Sequence, residues 1–440
     1  MKKFFPAILF IFLSVSMILI FRSAFPKNSG FLMVFLFLVL ADIYVWDPVR
    51  NRIEKTNRVV RMAVTTLFWL PFATMSGLTI YGLTTPFFSW GQPVRTMVTS
   101  LVLSAYLAKI FPLLVLLMAD FVGIVTSIRK RKPWFAFRKR AFVLYAGWVP
   151  GFILFVILLY GMFFGIYQFK VHEQTISVKG LPASFDGFRI VQFSDLHLGS
   201  WTSVDKLAEA VALMGQLRPD VVFFTGDMFN YSTADGKGFE PWLSRLKAPF
   251  GVYAILGNHD YGDYRKWPSA EAKIKDQEAV KDFYKTIGWT LLLNDHRIIH
   301  IGSDSIAIIG VENWGAVKRF QRTGDLKKAA QGTENMTVQL LLSHDPTHWD
   351  SIVSKSYPEI DITFSGHTHG GQVGIDFWGI HWAPAQWMLK QWCGLYKKTN
   401  PTGNQYLYVN QGLGSIGYAG RVGIKPEITL IVLKTQTNTP

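Results

Sequence analysis

Five short polar motifs punctuate the second half of this 440-residue chain, each at or just after an apolar, strand-like run. They are Asp195-Leu196-His197, Gly226-Asp227, Gly257-Asn258-His259-Asp260, Ser343-His344-Asp345 and Gly366-His367-Thr368-His369. The runs leading into them are Phe188–Phe193, Asp220–Phe224, Val252–Leu256, Val338–Leu342 and Ile360–Phe364. Short apolar runs of this kind read as strands, and open α/β sheets carry their functional residues at the carboxyl ends of strands. The order therefore predicts one site assembled from loops on several strands. Val204–Leu217 and Gln277–Ile287 read as helices, and Ile306–Ile309, Tyr406–Val409 and Ile428–Leu433 as further strands. Ser232–Glu240 and Lys318–Thr337, rich in Gly, polar and charged residues, read as loops.

The first half has a different composition. Apolar stretches at Phe4–Phe21, Phe31–Trp46, Ala63–Leu83, Met97–Val125 and Tyr145–Tyr167 are candidate membrane spans, which need about 20 apolar residues each. No clear cleavage site follows the first, which therefore reads as an uncleaved span. The fourth contains Lys109 and Pro112 and reads as one tilted or kinked helix. Asp42 and Asp120 fall inside spans, where pairing with a cation or a place near the interface is the default.

The net charge of +15 resembles a nucleic-acid signature until it is located. Up to Gln168 there are 18 Lys/Arg against 4 Asp/Glu; beyond it, 27 against 26. The excess flanks the spans, and no nucleic-acid partner is expected. Arg50, Arg52, Lys55, Arg58 and Arg61 fill one loop, and Arg129–Lys132 with Arg138–Arg140 another. The positive-inside rule assigns both loops to the cytoplasm. Five spans then place everything after Tyr167 on the outer, periplasmic face of a bacterial-type inner membrane. Cys393 is the sole cysteine, so neither an internal disulfide nor a thiolate zinc site is available.

The motifs supply carboxylate, imidazole and amide ligands of the kind that hold divalent metals. Five of the ten histidines lie in them. His172, His296, His300, His348 and His381 are read as structural. Asp227, following Gly226 on a tight turn, suits a carboxylate that bridges two cations roughly 3.5–4 Å apart, and a bridging hydroxide is a ready nucleophile at phosphorus. His259, beside the amide ligand Asn258, suits polarisation of the phosphate and protonation of the leaving group.

This motif set resembles the calcineurin-like metallophosphoesterase superfamily, from about Gln174 to the end. The resemblance implies a four-layer α/β/β/α sandwich with two mixed sheets. It implies one metal on Asp195, His197, Asp227 and His369, and a second on Asp227, Asn258, His344 and His367, with His259 as acid. Gly366–Val373 and Asn410–Gly414, followed by Arg421 and Pro426-Glu427, resemble the membrane-associated branch, transmembrane proteins with a metallophosphoesterase domain. Arg421 is read as a phosphate ligand or a structural ion-pair partner.

The expected organisation is an N-terminal α-helical membrane domain over 1–168 and an α/β metallophosphoesterase domain over 174–440. The expected function is membrane-anchored hydrolysis of a phosphodiester or pyrophosphate, with a lipid or envelope substrate in view. The cofactors are two divalent ions, manganese, iron or zinc. A cytosolic domain would favour the alternative of a UDP-diacylglucosamine pyrophosphatase of lipid A synthesis. An alternative of another class is a metal-containing membrane sensor without turnover. The Trp-rich segment 374–396 reads either as an apolar rim that meets the bilayer or as a loop packed over the core.

Overall fold

The computed structural model describes residues 29–92, 94–130, 140–316, 322–400 and 403–436. The chain divides into two compact units, one of 1–87 with 98–159 and one of 88–97 with 160–440.

The first unit is helical: α1 (Ser29–Ile53), α2 (Arg58–Thr84), α3 (Thr99–Lys130) and α4 (Ala141–Phe163). Among the described residues three helices are long and apolar enough to cross a membrane, Arg58–Gly82, Val94–Ser127 and Ala141–Tyr167. The expected second span lies within the longer helix α1, which is not one of those three, and Phe4–Phe21 lies outside the described residues. The buried Asp42 accepts from Lys109 Nζ at 2.7 Å and from the Tyr106 hydroxyl at 3.0 Å. Lys109 also donates to the Phe68 carbonyl at 2.9 Å. Asp120 accepts from the Tyr44 hydroxyl at 2.6 Å. A charge in an apolar interior persists only when paired in this way. A Cβ at Gly147 would stand 2.6 Å from Pro112 Cα, so α3 and α4 pack at a distance only glycine permits.

The second unit holds two six-stranded sheets. One runs β1 (Lys170–Val178), β14 (Glu427–Thr435), β2 (Arg189–Phe193), β3 (Val221–Phe224), β4 (Val252–Ala254), β5 (Thr290–Leu291). The other runs β12 (Gly394–Asn400), β13 (Gly403–Val409), β9 (Ile362–Ser365), β8 (Gln339–Leu342), β7 (Asp304–Gly310), β6 (Asp295–Ile301). Both are mixed. The motif-bearing strands β2, β3 and β4 pair in parallel, as do β8 and β9.

Side-chain alternation distributes the core. Ile190, Val221, Phe223, Ile308, Leu340, Leu342 and Phe364 meet between the sheets. Their neighbours Val191, Phe193, Val222 and Phe224 point to the other face, against Leu207, Val211 and Met214 of α5 (Val204–Gln216) and Val280, Phe283 and Tyr284 of α6 (Ala270–Thr286). Ala307, Ile309 and Leu341 do the same toward Ala329, Trp349 and Val353 on the far side. This is the four-layer α/β/β/α arrangement with two mixed sheets.

Several elements differ from the sequence reading. Helix α6 starts at Ala270 rather than Gln277, because Ser269 caps it by accepting from Ala272 N at 3.2 Å while the added turns are polar and lack an apolar period. Within the expected loop 318–337, Leu326–Ala330 is helical, capped by Asp325. Within 232–240, Thr233–Gly236 forms a helical turn whose Asp235 carboxylate accepts from Asn230 N at 3.2 Å and Tyr231 N at 2.8 Å.

Candidate metal centre

Every motif lies at the carboxyl end of its strand: Asp195 and His197 beyond β2, Asp227 beyond β3, Asn258 and His259 beyond β4, His344 beyond β8, His367 and His369 beyond β9. The two sheets thus deliver five loops to one place. The turns are sharp. Asp195, His197, Asp227, His367 and His369 all have positive φ, between 45° and 70°, and make up five of the nine such non-glycine residues among those described. Backbone of this kind costs energy and collects at functional sites. Gly226 itself has φ +97°, and a Cβ there would stand 2.5 Å from Gly257 N, so the β3 and β4 turns meet backbone to backbone.

Asp195, His197, Asp227 and His369 offer ligand atoms that all lie within 4.8 Å of one another, and Asp227, His344 and His367 form a second such group. Asp227 belongs to both. Its Oδ2 lies 3.5 Å from His197 Nε2 and 3.3 Å from His344 Nε2. Asp195 Oδ1 is 3.4 Å from His369 Nε2. His344 Nε2 also faces Asn258 Oδ1 at 3.2 Å and His367 Nδ1 at 3.3 Å. The structure therefore brings all seven sequence-predicted ligands together.

The donor chemistry fits divalent ions. His197 Nε2 and His369 Nε2 face each other at 3.1 Å, while the buried Nδ1 atoms of both lack a hydrogen-bond partner. Two buried imidazoles and two carboxylates aimed at a common point are a poor arrangement without a cation and a good one with it.

Surrounding groups set tautomers and orientations. His344 Nδ1–H donates to the Thr225 carbonyl at 2.7 Å, which leaves Nε2 facing the cluster. Asn258 Nδ2 donates to the Tyr264 hydroxyl at 2.6 Å and so turns its Oδ1 inward. His259 Nδ1–H donates to the Asn230 carbonyl at 2.9 Å, and its ring stacks on Tyr264 with centroids 3.8 Å apart. His259 N donates to Asp227 Oδ1 at 2.8 Å.

Electrostatics separate the groups. Burial opposes ionisation of Asp227, but His344 and His259 beside it hold its carboxyl well below the usual carboxylate range. Burial disfavours a proton on His344, yet Asp227 and Asp195 outweigh it and raise the ring to about 10. Burial pushes His259 down to about 4 against the pull of Asp227.

Four residues matter that the sequence reading assigned no role. Asp260 accepts backbone N–H bonds from Asp227, Met228, Phe229 and Gly257, at 2.9–3.2 Å, and so fixes the loop that carries Asp227. Asp345 stands 3.8 Å from His367 Nε2 and accepts from Thr347 N and Oγ1 at 2.8 and 2.7 Å. Both were visible within their motifs. Tyr264 had no signal beyond proximity to Asn258 and His259 in the chain. Arg95, between α2 and α3, pairs with buried Asp235 at 3.2 Å, and Asp235 accepts from Asn230 N at 3.2 Å. Asn230 is the residue whose carbonyl holds His259.

Arg421 fills neither expected role. It is buried, and its guanidinium donates to the carbonyls of Gly414, Gln411 and His369 at 2.7–3.2 Å, bracing the loop after β13 against the loop after β9. His296, His348 and His381 lie outside the cluster, on the Ala329 carbonyl, Ser343 Oγ and Cys393 Sγ respectively.

An α/β/β/α sandwich with this cluster at its strand ends defines a metal-dependent phosphoesterase. Comparison with known proteins agrees. Residues 188–371 match the family described as calcineurin-like phosphoesterase, and residues 27–166 match a probable calcineurin-like phosphoesterase transmembrane domain. An uncharacterised metallophosphoesterase of Bacillus subtilis, YkuE, is 31% identical over 63% of this chain and 89% of its own length. A zebrafish transmembrane protein with metallophosphoesterase domain is 30% identical over 63% of this chain and 60% of its own. The phosphodiesterase YaeI of Escherichia coli is 27% identical over 56% of this chain and 82% of its own. The chain belongs to the calcineurin-like metallophosphoesterase family, in a membrane-associated form.

Proposed function

We propose that this protein hydrolyses a phosphodiester or pyrophosphate bond at a dinuclear metal site. Asp195, His197, Asp227 and His369 would hold one ion; Asp227, Asn258, His344 and His367 would hold the other. The observation that carries the reading is Asp227, whose single carboxylate belongs to both ligand groups. Two such ions, when bound, supply Lewis acidity toward phosphoryl oxygen and lower the pKa of an attacking water.

The protein's own residues do the rest. The αL turns and Asp260 hold the ligands in place before substrate arrives. His259 keeps Nε2 for the substrate because Nδ1 is engaged by Asn230. A phosphate anion beside it favours protonation, opposing the effect of burial, and the charged ring then donates to the leaving oxygen. Phosphodiesterase activity in the E. coli relative supports a diester substrate.

An outer-face location is supported by the basic loops flanking α1–α2 and α3–α4. It is also supported by the clustering of 88–97, the opposite kind of loop, with the α/β unit.

The test is the detergent-purified full chain assayed with a chromogenic phosphodiester and a phosphomonoester, with and without manganese. Metal-dependent diester cleavage is expected. A metal-loaded protein inert on both would overturn the reading and favour the sensor alternative.

A further inference from the structure

Between the last ligand motif and β12 the α/β unit displays an apolar surface. β10 (Ile375–Phe377) and β11 (Ile380–Trp382) pair as an antiparallel hairpin, and a turn at Pro384–Trp387 follows. Trp378 is 89% exposed, Met388 87% and Trp387 75%; Phe377, Ile380 and Ile375 are exposed as well. Scattered exposed apolar residues are ordinary, but a contiguous patch of this kind marks an interaction site. Its apex is strained: Trp378 has φ +51°, a conformation that a bulky aromatic residue rarely adopts. Phe377 and Trp378 stack on each other, with centroids 4.8 Å apart, rather than fold back onto the core.

The stem identifies the occupant. Gly374 N donates to the Val422 carbonyl at 2.8 Å, and Arg421 N, one residue earlier, donates to the Gly161 carbonyl at 3.1 Å. Gly161 lies in the last turn of α4, where a Cβ would stand 2.5 Å from Val422 Cγ2. Asp376, inside the hairpin, accepts from Lys170 Nζ at 2.9 Å. Lys170 is three residues past Tyr167, the end of the last candidate span. Three residues reach at most ~10 Å. Two independent links, one through Val422 and Arg421 to Gly161 and one through Asp376 to Lys170, thus hold the stem where the chain leaves the last span. At its other end, Thr368, between His367 and His369, donates to the Trp392 carbonyl at 2.6 Å. Tryptophan is also the side chain most at home at the membrane–water boundary.

We propose that the 374–388 hairpin is embedded in the lipid–water interface beside the end of α4. Resting on the phosphoesterase reading, the substrate it serves is a phosphoester anchored at that layer by an alkyl chain.

The test uses the full chain in nanodiscs of phosphatidylcholine with phosphatidylglycerol. Trp378→Cys, and separately Met388→Cys, each with Cys393→Ser, carry an environment-sensitive fluorophore; Glu209→Cys on α5 is the aqueous control. Both hairpin labels are expected to be quenched by nitroxide lipids and shielded from iodide, unlike the control. Labels at both sites that iodide reaches as freely as the control overturn the docking. The second readout compares ethyl and hexadecyl p-nitrophenyl phosphate, which share one leaving group. Hexadecyl ester is expected to turn over about tenfold faster, an advantage lost in Trp378→Glu/Trp387→Glu while the ethyl ester is unaffected. Equal rates on both esters overturn the anchored-substrate assignment. Silence on both indicts the phosphoesterase reading instead, and the quenching still decides the docking.

Discussion

At the residue scale, His259 and Asp227 differ in what their loss removes. His259 contributes no ligand to either metal group, so His259→Ala should lower kcat by about 10²- to 10⁴-fold with the bound metal unchanged, measured by diester turnover beside elemental analysis. Unaltered turnover would remove its assigned role. Asp361 makes a separate, pH-dependent point far from the chemistry. Burial raises its carboxyl from 3.8 to about 7, although it accepts from Gln339 N at 2.9 Å. The folded state therefore binds a proton that the unfolded chain has lost, and stability falls as pH rises through that window. Asp361→Asn should flatten this part of the profile of melting temperature against pH; an unchanged slope would show that the carboxyl does not carry it. The candidate ligands themselves were legible in the sequence because each motif sits at or just after an apolar run. Asp260 stood inside a motif, yet its four backbone bonds reach from the β3 loop to the β4 loop, which chain order cannot reveal.

At the element scale, strands and loops divide the work. Strands β2, β3, β4, β8 and β9 end at a common level, and the loops beyond them carry the chemistry. These strands were readable because both faces are buried, giving near-continuous apolar runs. The edge strands β1, β6 and β12 were missed: their mixed, half-exposed patterns carry little periodic signal, and pairing with β14, β7 and β13 is what makes them strands. The 88–97 segment was read only as a loop between spans, although it supplies Arg95 to buried Asp235. Arg95 is a positioning residue. Arg95→Ala should loosen Asn230 and with it His259, lowering kcat several-fold with little change in KM, whereas Arg95→Lys should recover part of the loss. A purely structural role would lower folded yield and leave kcat per folded molecule unchanged.

At the scale of the whole molecule, the charge asymmetry belongs to the helical unit and the site to the other. Lys109→Met would leave Asp42 buried without its cation, at a cost of about 3–5 kcal/mol. The helical unit should then lose thermal stability in detergent while metal binding by the α/β unit persists; equal stability of variant and wild type would show the pair to be dispensable. What the sequence by itself determined is local. Hydropathy set the helical half apart from the α/β half, strand-end position marked the seven candidate ligands and His259, and a single cysteine excluded an internal disulfide and a thiolate zinc site. What only the tertiary structure decided is non-local. Asp260 as the clamp on the loop that carries Asp227, Arg421 as a brace for three carbonyls, the reach of Arg95 through Asp235 to Asn230 and the exposure of Trp378 all depend on which distant segments meet. That is a property of sheet order and strand register, set by burial over the whole domain rather than by any residue's neighbours in the chain.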